Sequence, residues 1–521
     1  MSQLSTLDTS IFIIYVLALI ALAYFVSREK AGHEKDASDY FLAGNSLPWW
    51  AIGASLIAAN ISAEQIIGMS GSGYAMGLAI ASYEWMAAIT LILVGKYFLP
   101  IFLKHKIFTM PQFLEQRYDH NVRMILAFFW LGVYVFVNLT AILWLGALAI
   151  NTVTGVNMDT AIVFLAVFSL AYSLYGGLKA VAYTDIIQVV LLVGGGLFLC
   201  YVTLNMISDG NGVIAGFSQL MAQAPEKFDM ILSKDNPHYI SLPGLSVLVG
   251  GMWIMNLSYW GFNQYIIQRA LAAKNLAEAQ KGIVFAAFLK LLMPVIVVLP
   301  GIAAFVLIPD LEPADKAYPM LMNLMPEGIK GLVFAALVAA IVSSLGSMAN
   351  SISTIFTMDI YSNYKTDKSQ QHYVKVGRTV SVIAMVIAVL TARPLLGELD
   401  QAFQYIQEFT GFFTPGIVVL FLLGMFWSKM TAKGALAAAI GSAVLSLAFK
   451  LLFPELPFMD RVGYVFIACL ILAAGVSLSD KKVNEAKAID TKEINFSTSQ
   501  SYNIATIAVV CILTAFYTAW W

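Results

Sequence analysis

Hydrophobic residues dominate the chain in fourteen long runs, each separated from the next by a short polar segment. Each run is long enough for a helix that crosses the roughly 30 Å hydrocarbon core of a bilayer. The pattern therefore predicts fourteen transmembrane helices. The predicted spans, numbered 1 to 14, cover residues 8–27, 48–70, 77–103, 123–151, 158–175, 181–207, 242–266, 279–308, 329–360, 373–392, 398–427, 431–452, 457–479 and 501–521.

Two of these runs are interrupted by polar residues at mid-span. Span 2 contains AANISAEQ at 58–65, and span 7 contains NLSYWGFNQ at 256–264, where Gly261 is the predicted flexible joint. A charged group at membrane depth costs about 2.5–3.5 kcal/mol and normally faces an interior cavity. A helix broken at that depth also exposes backbone groups that only protein or water can satisfy. We therefore predict two discontinuous helices that form a binding site.

The two interrupted spans lie five spans apart, which predicts an internal repeat. Paired interruptions at matching positions indicate an inverted-repeat transporter, and an odd spacing makes the second unit enter the membrane from the opposite side. We predict an all-α polytopic membrane protein that forms a single transmembrane unit over 1–521. Its parts would be a first five-helix repeat at 48–207, a second, inverted repeat at 242–427, and peripheral helices at 8–27 and 431–521.

The basic residues predict the orientation of these helices. Of the 30 lysines and arginines, 21 fall on one set of alternate loops, 6 on the opposite set and 3 within spans. The first set includes Arg28, Lys30, Lys35, Arg123, Lys179, Arg269, Lys481 and Lys482. Because cytoplasmic loops carry the excess of Lys and Arg, both termini are predicted to lie outside, in the periplasm.

Composition supports a membrane transporter and argues against other classes. The chain is 60% hydrophobic and 12% charged with a net charge of −1, so we expect a lipid bilayer around it and no nucleic-acid partner. The five histidines fall in loops or at helix ends, where they cannot bind haem or metal within the membrane. No Ser-His, Cys-His or phosphate-loop arrangement occurs. These absences argue against an enzyme.

Several polar side chains within spans have the chemistry of a sugar site. Gln65, Glu84, Asn256, Lys290 and Gln407 combine amides, a carboxylate and an ammonium, which suit hydroxyls that both donate and accept hydrogen bonds. Tyr259 and Trp260 add flat apolar faces for a sugar ring. The alternative interpretation is that these polar groups only hold helices together.

Span 9 contains a serine pair, Ser343-Ser344, that suggests an alkali-cation site. Hydroxyls and freed carbonyls are hard oxygen donors, although helical serines often bond back to their own helix. Asp185 begins span 6, where an acid at a helix start would also be favoured by the helix dipole.

At these residues the chain resembles the sodium/solute symporter family, and within it the bacterial sodium/galactose (sodium/glucose) branch. The resemblance extends from span 1 to span 14. It is carried by the blocks SLPWWAIGASLIAANISAEQIIGMSGSGY, YSLYGGLKAVAYTDIIQ, YWGFNQYIIQRALAAKNLAEAQKGIVFAAFLK, FAALVAAIVSSLGSM and QAFQYIQEFTG.

This resemblance implies a role for each candidate residue. Sodium, the co-transported ion, would be held by Ala58, Ile61, Ala340, Ser343 and Ser344, and Asp185 would lie on its exit path. The sugar would be bound by Gln65, Glu84, Asn256, Lys290 and Gln407, with Asn60 nearby. Tyr259 would stack on the sugar as an inner gate, and the outer side would be closed by Met69, Tyr83 and Phe403. We expect Glu64 to brace the break without touching the ligand.

The implied function is sodium-coupled symport of a hexose, galactose or glucose, across the inner membrane into the cell by alternating access. The sequence departs from that branch at Ala87, where a serine is usual, at Ser258-Tyr259, where a tyrosine pair is usual, and in a short loop at 309–328. The alternatives are a sodium symporter for inositol, a sialic acid or an amino acid, and a sugar-gated channel or sensor.

Overall fold

The computed structural model describes residues 4–27, 45–107, 109–397, 401–480 and 487–521, without the side chains of residues 23 and 172–181. Within those ranges the regular secondary structure is helical, and the only β-pairing is an isolated bridge between Leu47 and Ala273. Nine described helices are long and apolar enough to cross a bilayer, or ten when one bent pair is counted as a span. The predicted all-helical, multi-pass fold is confirmed, while the count of fourteen stays a prediction.

Most predicted spans have a helix close to their predicted bounds. Spans 1, 4, 8, 9 and 10 correspond to Thr6–Ser27, His120–Thr154, Leu276–Leu307, Ile329–Tyr364 and Gln370–Leu396. Span 3 is helical over 77–104. Spans 12 to 14 are Ala432–Leu452, Phe458–Ser479 and Gln500–Ala519. The loops carry short helices at Met110–Arg117, Val213–Gln223 and Ala317–Met322.

Span 2 is broken where the polar residues were found. Its first half, Trp49–Asn60, ends at Ile61, whose ψ of 65° is not helical. Helical backbone resumes as a wide turn at Glu64–Gly68 and continues through Met69–Met76. The polar interruption therefore marks the break correctly.

Span 7 is also broken, but at Asn263 and not at the predicted joint Gly261. Gly251–Leu257 and Ser258–Phe262 form the first half, Asn263 is extended with ψ of 119°, and Gln264–Leu271 follows. A glycine is needed at position 261 for packing and not as a joint, because a Cβ there would lie 2.9 Å from the Phe98 ring.

Spans 5 and 6 lie in one run of helical backbone, Met158–Ile207. Within this run, Ala182–Ile207 is long and apolar enough to cross a bilayer, and Met158–Ala171 is a shorter apolar segment. The predicted loop between them, with Lys179 and the first part of the block YSLYGGLKAVAYTDIIQ, falls where side chains are not described. The backbone there is helical, so the expected non-helical connection is wrong.

Span 11 contains a bend that the sequence did not predict. Its two helices, Ala402–Thr410 and Thr414–Phe426, meet at an angle of 47°. Gly411 follows the first helix and Pro415 opens the second, and proline is well suited to the first turn of a helix.

Among the nine described helices that are long enough to cross a bilayer, span 9 is the most buried. In its apolar segment 94% is buried, compared with 17–28% in the apolar segments of spans 12 to 14. Span 9 is therefore central, and spans 12 to 14 leave most of their surface exposed. Arg123 and Arg269, which were assigned to loops, are buried in helices. Arg28, Lys30, Lys35, Lys481 and Lys482 lie outside the described residues.

Candidate functional site

A cavity of about 390 Å³ lies beside the break in span 2 and the first half of span 7. It is lined by Asn60, Glu64, Gln65, Tyr83, Glu84, Met255, Asn256, Tyr259, Trp260 and Gln407. Six of the seven predicted substrate residues are in that wall. The seventh, Lys290, is fully buried behind it.

Lys290 is held by two groups that line the cavity. Its ammonium donates a hydrogen bond to Glu84 Oε2 at 2.5 Å and another to Asn60 Oδ1. It also lies 4.9 Å from the centre of the Trp260 ring, a distance at which the ring face attracts a cation. The ammonium and carboxylate thus neutralise each other within the apolar interior.

The remaining polar groups continue this network. Gln65 Nε2 donates to Glu84 Oε1 at 3.0 Å, and Asn60 Nδ2 donates to the Tyr259 hydroxyl at 3.0 Å. The Tyr259 hydroxyl also bonds Tyr265. Such pre-oriented amides and carboxylates can each exchange a protein partner for a sugar hydroxyl.

Three other candidates have different surroundings. Asn256 donates its amide back to the Met252 carbonyl at 3.2 Å, so it partly braces its own helix. Gln407 lies in the cavity wall on the bent span 11. Ala87 is buried, and its methyl offers no hydrogen bond.

The predicted outer gate residues pack together on one side of the cavity. The rings of Tyr83 and Phe403 meet nearly edge-on, with centroids 5.2 Å apart. Phe403 and Met69 are fully buried, and Gly68 leaves room for Phe403, whose Cβ would lie 3.0 Å from an added methyl. Of the three gate residues, Tyr83 alone lines the cavity itself.

The predicted sodium residues lie where span 9 packs on the broken end of span 2. Ser344 Oγ is 3.2 Å from the Ala59 carbonyl and 3.5 Å from the Ala58 carbonyl. Ala340 lies one helical turn before both serines, three residues from Ser343 and four from Ser344. These residues and Ile61 are all buried. The Ser344 hydroxyl and the carbonyl oxygens of Ala58 and Ala59 therefore lie close together.

Asp185 touches this group directly. It accepts hydrogen bonds from Ser343 Oγ and, at 2.6 Å, from Ser55 Oγ. It lies inside the helix Met158–Ile207 and is fully buried, so its interpretation as a helix-start acid is wrong.

Arg269 is a site residue that sequence reasoning missed. Its guanidinium lies 3.8 Å from Asp185 and donates to the Ser55 carbonyl at 2.9 Å and to the Tyr265 carbonyl at 2.6 Å. The count of basic residues had assigned it to a loop. Gln264 and Gln268 share one helix face directly after the break, and Arg269 follows them; polar residues at this spacing in a span were the available signal.

The two groups of residues are joined by one polar chain. Lys290 bonds Asn60, Asn60 bonds Tyr259, and Tyr259 bonds Tyr265. The Tyr265 carbonyl then accepts from Arg269, which pairs with Asp185. These polar contacts connect the cavity wall to the residues around Ser343 and Ser344 through the second half of span 7.

Comparison with known proteins identifies the family. The model of the sodium:solute symporter family matches residues 40–441. The chain belongs to this family. It is 52% identical to a sodium/glucose cotransporter of Vibrio parahaemolyticus over 99% of both chains. It is 33% identical to the sodium/myo-inositol cotransporter 2 of Bos taurus, over 84% of this chain and 69% of that one.

A solved structure of a Na⁺-coupled sialic acid symporter in a substrate-bound, outward-open state shares the fold. Its TM-score is 0.81 at 25% identity, with 92% of this chain and 98% of that chain covered. The protein is therefore a multi-pass membrane transporter that uses sodium as the co-transported ion, and it is not an enzyme.

Proposed function

We propose that the protein couples the inward movement of sodium to the uptake of a hexose, galactose or glucose. The observation that carries this proposal is the cavity itself, in which a carboxylate, amides and aromatic faces surround a space of about 390 Å³. Those groups match the hydroxyls and the apolar face of a sugar ring. The 52% identity to a sodium/glucose cotransporter supports the same substrate class.

Gln65, Glu84, Asn256, Lys290 and Gln407 bind the sugar in this proposal, with Asn60 and Tyr259 beside them. Because Lys290 is already paired with Glu84, its role is to hold the carboxylate in place as much as to touch ligand. Tyr259 closes the inner side, while Met69, Tyr83 and Phe403 close the outer side.

Sodium binds between the broken end of span 2 and span 9 in this proposal. Its ligands are oxygens of Ala58, Ile61, Ala340, Ser343 and Ser344, and it leaves past Asp185. Bound sodium holds the two helices together and favours the outward-open state. Loss of sodium to the cytoplasm then loosens the sugar cavity, which gives alternating access.

The proposed topology is fourteen helices in the inner membrane with both termini outside. The repeats at 48–207 and 242–427 form the inverted core, and 8–27 and 431–521 are peripheral. The low burial of spans 12 to 14 supports a peripheral position.

A second polyol, inositol, is the alternative that an observation favours. The chain is 33% identical to a sodium/myo-inositol cotransporter, and Ala87 lacks the hydroxyl usual in the galactose branch. The charge pair that an amino acid would need is engaged internally between Glu84 and Lys290.

Uptake by purified protein in liposomes tests the proposal. Labelled galactose and glucose should accumulate above their equilibrium level with an inward sodium gradient and not with a potassium gradient. Unlabelled hexoses, inositol, sialic acid and proline then compete to rank the substrates. Equal uptake without sodium would disprove symport, and uptake that stops at equilibrium would indicate a channel.

A further inference from the structure

Glu64 is a buried carboxylate that the proposed transport cycle does not use. Its side chain is only 4% exposed, and its Oε1 has no hydrogen-bond partner within the described part of the chain. The expectation that it braces the break fits its backbone, whose N–H donates to Ser62 Oγ at 3.1 Å. The carboxylate is hydrogen-bonded by the Asn138 side chain, and its buried oxygen that has no partner requires a physical explanation.

The carboxylate faces a second cavity of about 610 Å³, larger than the sugar cavity. The polar residues around it include Asn138, Ser258, Thr410 and Thr414. The set resembles the first cavity, because it again combines a carboxylate, an amide and hydroxyls.

Aromatic rings complete the wall of the second cavity. Phe129, Trp130, Tyr134 and Phe413 line it together with Tyr259. Flat apolar faces beside hydrogen-bonding groups suit the ring of a sugar. A single cation would need a tight shell of oxygens, and a lipid tail would leave the carboxylate without a partner.

The two cavities share part of their walls. Glu64, Met255, Tyr259 and Gln407 line both of them. Tyr259, the proposed inner gate, therefore stands between the sugar cavity and the second cavity. A sugar that passes this residue enters the second cavity next.

We propose that the second cavity is a transit subsite for the transported hexose, with Glu64 as the residue that accepts its hydroxyls. The inference rests on the proposed function, because it takes the same sugar as its ligand. The subsite binds more weakly than the first cavity, since it lacks the Gln65–Glu84–Lys290 arrangement. Two sugars can then be bound in series along the exit route.

Equilibrium binding of labelled galactose and glucose to purified protein in sodium tests this subsite. Wild-type protein should show two classes of site. Glu64→Gln should weaken the second class by about tenfold or more, as expected when a charged hydrogen-bond acceptor is lost. Because Glu64 also lines the first cavity, the two classes are separated by residues that line only one of them. Asn138→Leu should weaken only the second class, and Glu84→Gln should weaken the first class and leave the second unchanged.

Glu493→Gln is the matched control, because this carboxylate is exposed and pairs with Lys104; it should leave both classes intact. The subsite would be overturned if wild-type protein showed a single class of site that neither Glu64→Gln nor Asn138→Leu changes. In that case sodium-driven uptake would still support the proposed function. Loss of both classes in folded Asn138→Leu protein would also overturn it. An absence of sodium-dependent sugar binding in wild-type protein would instead contradict the proposed function.

Discussion

Two buried ion pairs, each between a carboxylate and a lysine, lie in different parts of this protein. Glu84 and Lys290 pair beside the sugar cavity at 2.5 Å, and Asp8 and Lys330 pair at the periphery at 3.6 Å. Removing one member of a buried pair leaves an uncompensated charge, which typically costs about 3–5 kcal/mol. Replacing both members costs far less. The two pairs therefore allow structural and functional effects to be separated residue by residue.

We expect Glu84→Gln to reduce both stability and sodium-driven sugar uptake. The thermal unfolding temperature should fall because Lys290 loses its partner, and uptake should fall at least tenfold. The double variant Glu84→Gln with Lys290→Met should recover most of the stability without recovering uptake. Thermal unfolding in detergent and uptake by liposomes are the two measurements.

The peripheral pair is the control for that experiment. Lys330→Met should lower the unfolding temperature but leave the sugar concentration for half-maximal uptake within about twofold, since it lies far from both cavities. A double variant that recovers uptake along with stability would show that Glu84 acts only in folding.

At the scale of elements, the outer half of span 2 is fixed by close backbone contact. A Cβ on Gly71 would lie 2.8 Å from both the backbone N and the Cα of Asp315. Asp315 in turn accepts a hydrogen bond from the Ala402 N–H at 3.0 Å, where span 11 begins. One aspartate in the loop 309–328 thus joins span 2 and span 11, two of the three elements that carry the proposed outer gate.

We expect Gly71→Ala to destabilise the protein by about 1–3 kcal/mol, the usual effect of an extra methyl in a tightly packed core. Uptake should also fall, because Asp315 is displaced from Ala402. Gly132→Ala is the matched control, since no atom lies within 4 Å of its added Cβ. Equal unfolding temperatures for the two variants would contradict the argument.

Hydropathy predicted most elements, because the bilayer core imposes a length and a polarity on every span. The break at Ile61 was predictable since Asn60 and Glu64 are too polar for lipid. The break at Asn263 was misplaced onto Gly261, because a glycine required for packing against Phe98 looks the same in sequence as a flexible joint. The bend in span 11 was missed because Gly411 and Pro415 lie inside a stretch that is long and apolar enough to be interpreted as one uninterrupted span.

The site was predictable to the extent that its residues interrupt apolar runs or match the family. Gln65, Glu84 and Asn256 were found in this way. Arg269 was missed because charge counting assigns arginines at span ends to loops, and its burial depends on Asp185, which is 84 residues away in the sequence. The second cavity could not be found either, since its wall combines spans that no local pattern connects.

At the scale of the whole molecule, sodium should stabilise the folded protein. A ligand that binds only the folded state stabilises it by about 1.4 kcal/mol for each tenfold rise above its dissociation constant. We expect the unfolding temperature to rise with sodium and not with potassium. Ser344→Ala should shift this response to roughly tenfold higher sodium concentrations. Ser446→Ala is the control and should not shift it, because Ser446 is a buried serine that donates to the Phe412 carbonyl.

Transport should also respond to membrane potential. One charge that crosses 100 mV gains about 2.3 kcal/mol, equivalent to roughly fiftyfold accumulation for one sodium per sugar. Imposing an inside-negative potential with valinomycin and potassium should raise the sugar gradient accordingly. Uptake that does not change with the imposed potential would contradict the expectation that net charge moves with the sugar.

The polar chain from Lys290 through Asn60, Tyr259, Tyr265 and Arg269 to Asp185 has a consequence for how this transporter can diverge. Binding linkage is reciprocal, so a substitution that changes how strongly the sugar promotes sodium binding changes the reverse effect by the same factor. Selection for a new sugar at Asn60 or Tyr259 therefore also acts on the salt requirement of the cell that carries the protein. A variant selected for a new sugar should therefore also show a changed sodium concentration for half-maximal transport.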